Sequence, residues 1–179
     1  MNGSRRRLAI RLLGGSAAIA AVGYALLGGP PAGAVSAPGI TREQEIVNAQ
    51  DWLTADNGGP VPYSQASDWS DGYRQDCSGY ASMALGLPPA GPNTVELVND
   101  GWTVPVSMGQ LRQGDLVIND HGDSDQRHVV IFDHWTDGTD QSYMAYEQAG
   151  SVGTEYDQES YGVDGTDGYQ AYEPVNLTD

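Results

Sequence analysis

The chain has 179 residues, 24 of them acidic and 8 basic, for a formal net charge of −16. An excess of that sign argues against nucleic acid as a partner, because binding a phosphate backbone rests on clustered Lys and Arg. A single cysteine excludes an internal disulfide.

The basic residues are unevenly placed. Arg5, Arg6, Arg7 and Arg11 open the chain, an apolar run extends from Leu12 to Leu27, and Ala32-Gly33-Ala34 offers the small residues of a cleavage site. Residues 1–34 are therefore expected to be an export signal, cut after Ala34 or Ala37. Ser4-Arg5-Arg6-Arg7-Leu8 is also similar to a twin-arginine signal. The apolar run is shorter than the ~20 residues of a membrane span and contains Gly14, Gly15 and Gly23, so no stable membrane association is expected after cleavage. What remains has the size of one domain. It holds all 24 acidic residues against Arg42, Arg74, Arg112 and Arg127, with no lysine, a formal charge of −20. The expected location is secreted, extracellular or cell-wall associated. In that setting a lone thiol, Cys77, is either a small buried hydrophobe or a nucleophile.

Thr41-Arg42-Glu43-Gln44 has the form of a capping box, and Ile46, Ala49, Gln50 and Leu53 follow at helical spacing. Asn57-Gly58-Gly59-Pro60 ends that helix, and Val61-Pro62-Tyr63 leads into a polar loop that closes at Asp76. Cys77 to Leu85 again shows helical spacing and stops at Gly86 and Pro88-Pro89. Cys77 then lies in a first turn, where peptide N–H groups and the helix dipole favour a thiolate. Three short β-branched runs follow, Asp115 to Ile118, His128 to Phe132 and Tyr143 to Glu147, separated by Asp/Gly-rich turns. Tyr169 to Val175 is expected as an edge strand limited by Pro174. Helices first and strands afterwards predict an α+β domain with an antiparallel sheet. The Asp-Gly pairs match no calcium loop of known spacing and read as turns.

A thiol nucleophile needs a base in hydrogen-bond reach and a third group to orient that base. Of three histidines, His121 lies in a polar loop, while His128 and His134 sit at opposite ends of one strand, about 20 Å apart at ~3.3 Å per residue. Strand spacing alone does not choose between them. A turn centred on Asp137-Gly138 sets His128 opposite Glu147, and one residue of slip substitutes Gln148. The same turn offers His134 only residues near Gln141. His128 is thus the expected base, with Glu147 or Gln148 beside it. The plainer alternative is a structural histidine next to a surface glutamate.

Three segments now carry a resemblance. Asp76-Cys77-Ser78-Gly79-Tyr80 at a helix start, Leu111-Arg112-Gln113-Gly114-Asp115-Leu116-Val117 before a strand, and Arg127-His128-Val129-Val130-Ile131-Phe132 resemble, in order, the signatures of the NlpC-type cysteine peptidases. The similarity spans about Asn57 to Gly150. It implies a papain-like fold, N-terminal helices packed on the antiparallel sheet, and a thiol peptidase or amidase acting on the peptides of bacterial peptidoglycan. It implies Cys77 as nucleophile and His128 as base, with Glu147 where the family commonly has histidine. Tyr63, 14 residues before Cys77, matches a tyrosine that helps bind the oxyanion together with the Cys77 N–H. Asp76 and Ser78 flank the nucleophile as candidates for gripping the substrate. The chain departs from the family at Ser64-Gln65-Ala66, where a glycine pair is usual, and at Ile118-Asn119, where an aromatic pair is usual.

The expected organisation is a leader over 1–34, a linker and N-terminal helix over 35–56, and a catalytic domain over 57–179. No cofactor or metal is expected, because one cysteine and scattered histidines form no ligand set. The same triad could instead serve acyl transfer or cleavage of an amide outside the wall, and an inert Cys77 would leave a secreted binding domain.

Overall fold

The computed structural model describes residues 36–179, so the expected leader lies outside the described residues. A short strand, β1 (Ile40–Thr41), leads into α1 (Arg42–Asp51), whose N-cap Thr41 accepts a hydrogen bond from the Gln44 N–H at 3.1 Å. Only half of the capping box forms, because the Gln44 side chain donates forward to Asn48 at 2.9 Å. α1 buries Glu45, Ile46 and Ala49, and Trp52, just past its end, packs on Tyr80 with ring centroids 5.6 Å apart.

α2 (Cys77–Ala84) is buried along its whole length, as expected of a helix built from small and aromatic residues without charge. α3 (Thr94–Asn99) starts with a complete capping box between Asn93 and Glu96. The strands follow: β2 (Thr103–Val106), β3 (Leu116–Asn119), β4 (His128–Trp135), β5 (Tyr143–Ala149), β6 (Gly153–Glu159), β7 (Gln170–Pro174) and β8 (Leu177–Thr178). Strands β2 to β7 form one sheet in the order β2-β7-β3-β4-β5-β6, every neighbouring pair antiparallel. The fold is thus a mixed helix and sheet domain with an antiparallel sheet. β8 pairs in parallel with β1 and joins the two ends of the described chain.

Both faces of the sheet are apolar. Leu116, Ile118, Val129, Ile131 and Tyr146 pack under α1 and α2, while Val117, Val130, Phe132, Tyr143 and Ala145 form a second cluster. Two-sided burial explains why the β4 sequence shows a continuous apolar run instead of alternation.

One strand expectation needs correction. The Tyr169–Val175 segment is not at an edge, since β7 is inserted between β2 and β3. Pro174 is tolerated there because it is the last residue of β7, opposite Thr103 at the start of β2. The edges are instead β2 and β6, and β6 leaves Tyr156, Asp157 and Gln158 exposed. A strand with that much solvated surface has little hydrophobic pattern to betray it.

Candidate active site

Asp76 builds the first turn of α2. Its Oδ1 accepts from the Gly79 N–H at 2.7 Å and from the Ser78 hydroxyl at 2.9 Å, and its Oδ2 accepts from Arg74 Nε at 2.9 Å. The remaining Arg74 N–H groups donate to the carbonyls of Ala90, Gly91 and Pro92 and to Ser78 Oγ. Asp76 and Ser78 both line a cleft of about 260 Å³ with Cys77, yet their polar atoms are already engaged in fixing the turn that presents the thiol. Gly79 permits that turn: a Cβ there would stand 2.1 Å from the Arg74 carbonyl oxygen. Cys77 itself is 5 % exposed and occupies the first helical position, whose N–H has no intrahelical acceptor.

His128 opens β4, and its Nε2 donates to Glu147 Oε2 at 2.6 Å. That leaves Nδ1 as the ring nitrogen not engaged by Glu147, and Cys77 is the other group that acts on the imidazole. Burial favours the neutral ring, but hydrogen bonds to Cys77 and Glu147 and the charges of both push the His128 pKa up to about 10. Glu147 is 3 % exposed and sits on β5, with Glu155 opposite it on β6. Glu159 lies further along β6, opposite Tyr143, and burial, then the influence of Glu147, raise its carboxyl to about 7.

The other side of the imidazole is aromatic. Tyr161 and Tyr169 stack on each other at 4.4 Å and 14°, and both lie nearly perpendicular to the His128 ring at 5.8 and 6.5 Å. Such rings bar His128 from rotating away from Glu147 and shield the pair from water.

Tyr63 stands between the two ends of the cleft, lining the space next to Cys77 and a second space of about 400 Å³ next to His128 and Glu147. Its hydroxyl oxygen accepts from Gln65 Nε2 at 3.1 Å, which leaves the hydroxyl proton available to a ligand. Gln65 also donates across the cleft to the Ser124 carbonyl and to Asp125. Gln148, the other candidate beside Glu147, is fully buried and turned elsewhere: its amide donates to the carbonyls of Val61, Pro62 and Gln75 and accepts from Thr154. It ties the segment that carries Tyr63 to the one that precedes Cys77. His121 and His134 are exposed and each sits beside its preceding aspartate, Asp120 at 3.6 Å and Asp133 at 2.9 Å.

No protein-family model and no curated protein sequence matches this chain. Among solved structures it is similar to an NlpC/P60 family protein from Bacillus cereus. The two are 18 % identical with a TM-score of 0.48, over 76 % of this chain and 40 % of the other, so this chain spans less than half of that protein's length.

Several residues around the pair escape a reading of the sequence. Tyr161, Tyr169 and Glu159 lie in the weakly patterned segment after Gly150, where no periodicity singles them out. Gln65 lies in a loop, and its contacts exist only because the 120–127 segment folds against it. The one available signal is the density of tyrosine in that segment, since an aromatic among Asp/Gly turns needs something to pack on.

Proposed function

We propose that this protein is a thiol hydrolase of papain-like type that acts outside the cell on peptide amides, with the stem peptides of peptidoglycan as the substrate class. The observation that supports this reading is the His128–Glu147 pair, 2.6 Å apart, on the wall of a polar cleft whose adjoining part holds Cys77 at the start of a helix, with Cys77 acting on the imidazole. The substrate class is supported by the three sequence signatures around Cys77, Gly114-Asp115 and His128.

In this reading His128 Nδ1 takes the Cys77 proton and the sulfur attacks the amide carbonyl. The oxygen gathers negative charge within reach of the Cys77 N–H and the Tyr63 hydroxyl, donors worth about 3 kcal/mol each. The C–N bond breaks as the imidazolium returns its proton to the leaving amine. Water then attacks the thioester with His128 as base, releasing the acid and the free thiol. Glu147 holds the ring through Nε2 and stabilises its cationic form. Asp76 and Ser78 serve this chemistry by holding the turn, and they meet the substrate as part of the cleft wall.

Alkylation of Cys77 by iodoacetamide against pH, in the unaltered protein and in His128→Ala, tests the pair. The expected result is a fast reaction at neutral pH that falls at least tenfold in the variant. Equal, ordinary rates in both proteins would sink the hydrolase reading and leave a binding domain. Incubation with peptidoglycan-derived peptides, with and without a competing amine, then separates hydrolysis from acyl transfer by the product formed.

A further inference from the structure

The described residues contain four arginines as their only Lys or Arg side chains. Arg42 pairs with Asp115, Glu173 and Asp179, Arg112 with Glu173 and Asp179, and Arg74 with Asp76. Arg127 alone among them has no carboxylate within ion-pair distance. Its Nε donates to the Asp123 carbonyl at 3.2 Å, which fixes the side chain while the terminal N–H groups of the fork have no protein acceptor among the described residues.

Its place is specific. Arg127 lines both parts of the cleft, the one that holds Cys77 and the one that holds His128 and Glu147, and it is only partly exposed. The acidic side chains on the same walls are occupied: Asp76 by Arg74, Ser78 and the Gly79 N–H, Asp125 by Gln65, and Glu147 by His128. A guanidinium stays charged at every working pH, and its planar fork matches a carboxylate with two parallel hydrogen bonds. In a chain of formal net charge −16 a cation with no carboxylate partner, on a cleft wall shared with Cys77, attracts an anion against the general field.

We propose that Arg127 is a carboxylate-binding residue of the cleft, selecting substrates that carry a carboxylate close to the amide attacked by Cys77. This rests on the hydrolase reading for the word substrate. The carboxylate site itself does not depend on it.

Iodoacetate and iodoacetamide differ only in carboxylate against amide, and the single cysteine makes Cys77 their sole thiol target. The rates of Cys77 alkylation by both reagents are measured on the full chain in unaltered, Arg127→Gln and Arg127→Lys forms at low and high salt. The ratio of iodoacetate to iodoacetamide rate is expected to fall at least fivefold in Arg127→Gln, to fall less in Arg127→Lys, and to decline with salt in the unaltered protein. A ratio that changes less than twofold in Arg127→Gln overturns the proposal. Should that variant not fold, the unaltered protein decides: acetyl-alanyl-alanine must protect Cys77 from iodoacetamide at lower concentration than its C-terminal amide does, and equal or absent protection overturns the site. His128→Ala, measured beside these, reports separately on the hydrolase reading.

Discussion

Glu147 Oε2 lies 2.6 Å from His128 Nε2 although the two residues are not directly opposed across β4 and β5. Ile131 pairs with Tyr146 and Phe132 with Ala145, and that register continues to Val130 opposite Glu147. The carboxylate therefore reaches His128 along a diagonal on one face, a separation that long side chains span. It arrives buried, with its charge aimed at Nε2 while Nδ1 is left free of it.

That geometry makes the charge of Glu147 separable from its shape. Glu147→Gln keeps the size and a hydrogen-bond acceptor but removes the anion, and each tenfold loss of proton affinity at His128 corresponds to about 1.4 kcal/mol. The expected outcome is a Cys77 alkylation rate at pH 7 roughly tenfold lower than in the unaltered protein, with Glu147→Ala lower still. The full pH profile of alkylation checks this, and profiles that superimpose would remove Glu147 from the site.

The raised pKa of His128 also predicts how stability depends on pH. The folded protein holds its imidazole proton up to about 10, while the unfolded chain releases it near 6.5. Between these values the folded state binds more protons, so the contribution is complete below pH 6.5 and is lost as the pH rises toward 10. Urea unfolding from pH 6 to 10 should show a falling midpoint, and His128→Asn should flatten that slope. An unchanged slope in the variant would assign the loss to other groups.

Glu45 makes a second prediction of the same kind from a different place. It is fully buried in α1 without a hydrogen-bond partner for either carboxyl oxygen among the described residues. Burial pushes its pKa well above the usual carboxylate range against the pull of Arg42, with Asp115 adding to the rise. A raised acid costs stability as the pH climbs, because the unfolded chain gives up its proton first. Glu45→Gln should therefore gain on the unaltered protein between pH 4 and pH 8, by about 1.4 kcal/mol for every tenfold by which burial weakens the acid. Denaturant titrations at the two pH values measure the difference, and a gap that stays constant rejects the assignment.

Gly79 tests the packing behind Cys77. A methyl group at this position meets the Arg74 carbonyl oxygen at 2.1 Å, a backbone atom that cannot swing aside as a side chain would. Overpacking of this kind costs about 1–3 kcal/mol. Gly79→Ala should lower the thermal midpoint and also slow Cys77 alkylation, because relief of the clash moves the Arg74–Asp76 segment that caps α2. Normal alkylation in a destabilised variant would show that the turn tolerates the change.

The parts of the molecule written in short-range chemistry are legible without a structure. Asp76 is a good N-cap, Cys77 to Ala84 has helical spacing, and β3, β4 and β5 are runs of β-branched and aromatic residues bounded by turns. The partnership of His128 and Glu147 is also expected from the sequence, although the register that predicts it is two residues away from the one observed. A bulge at Asp133 and a longer connection from Thr136 to Ser142 reset the pairing. The partnership holds all the same because side chains alternate with a period of two, so a two-residue slip preserves the face while a one-residue slip would have delivered Gln148.

Legible from the chain alone are the helix that begins at Cys77, its Asp76 cap, the core strands and the pairing of an imidazole with a carboxylate. Long-range packing set the insertion of β7 into the sheet interior, the tyrosine pair beside His128, the turning of Gln148 toward the Tyr63 segment, and the isolation of Arg127 from every described carboxylate. These depend on which distant segments meet, and a contact between residues far apart in the chain leaves no periodicity in either one. Helix caps and strand runs are local because their hydrogen bonds and packing repeat over a few residues, whereas the walls of the cleft exist only once the sheet has closed.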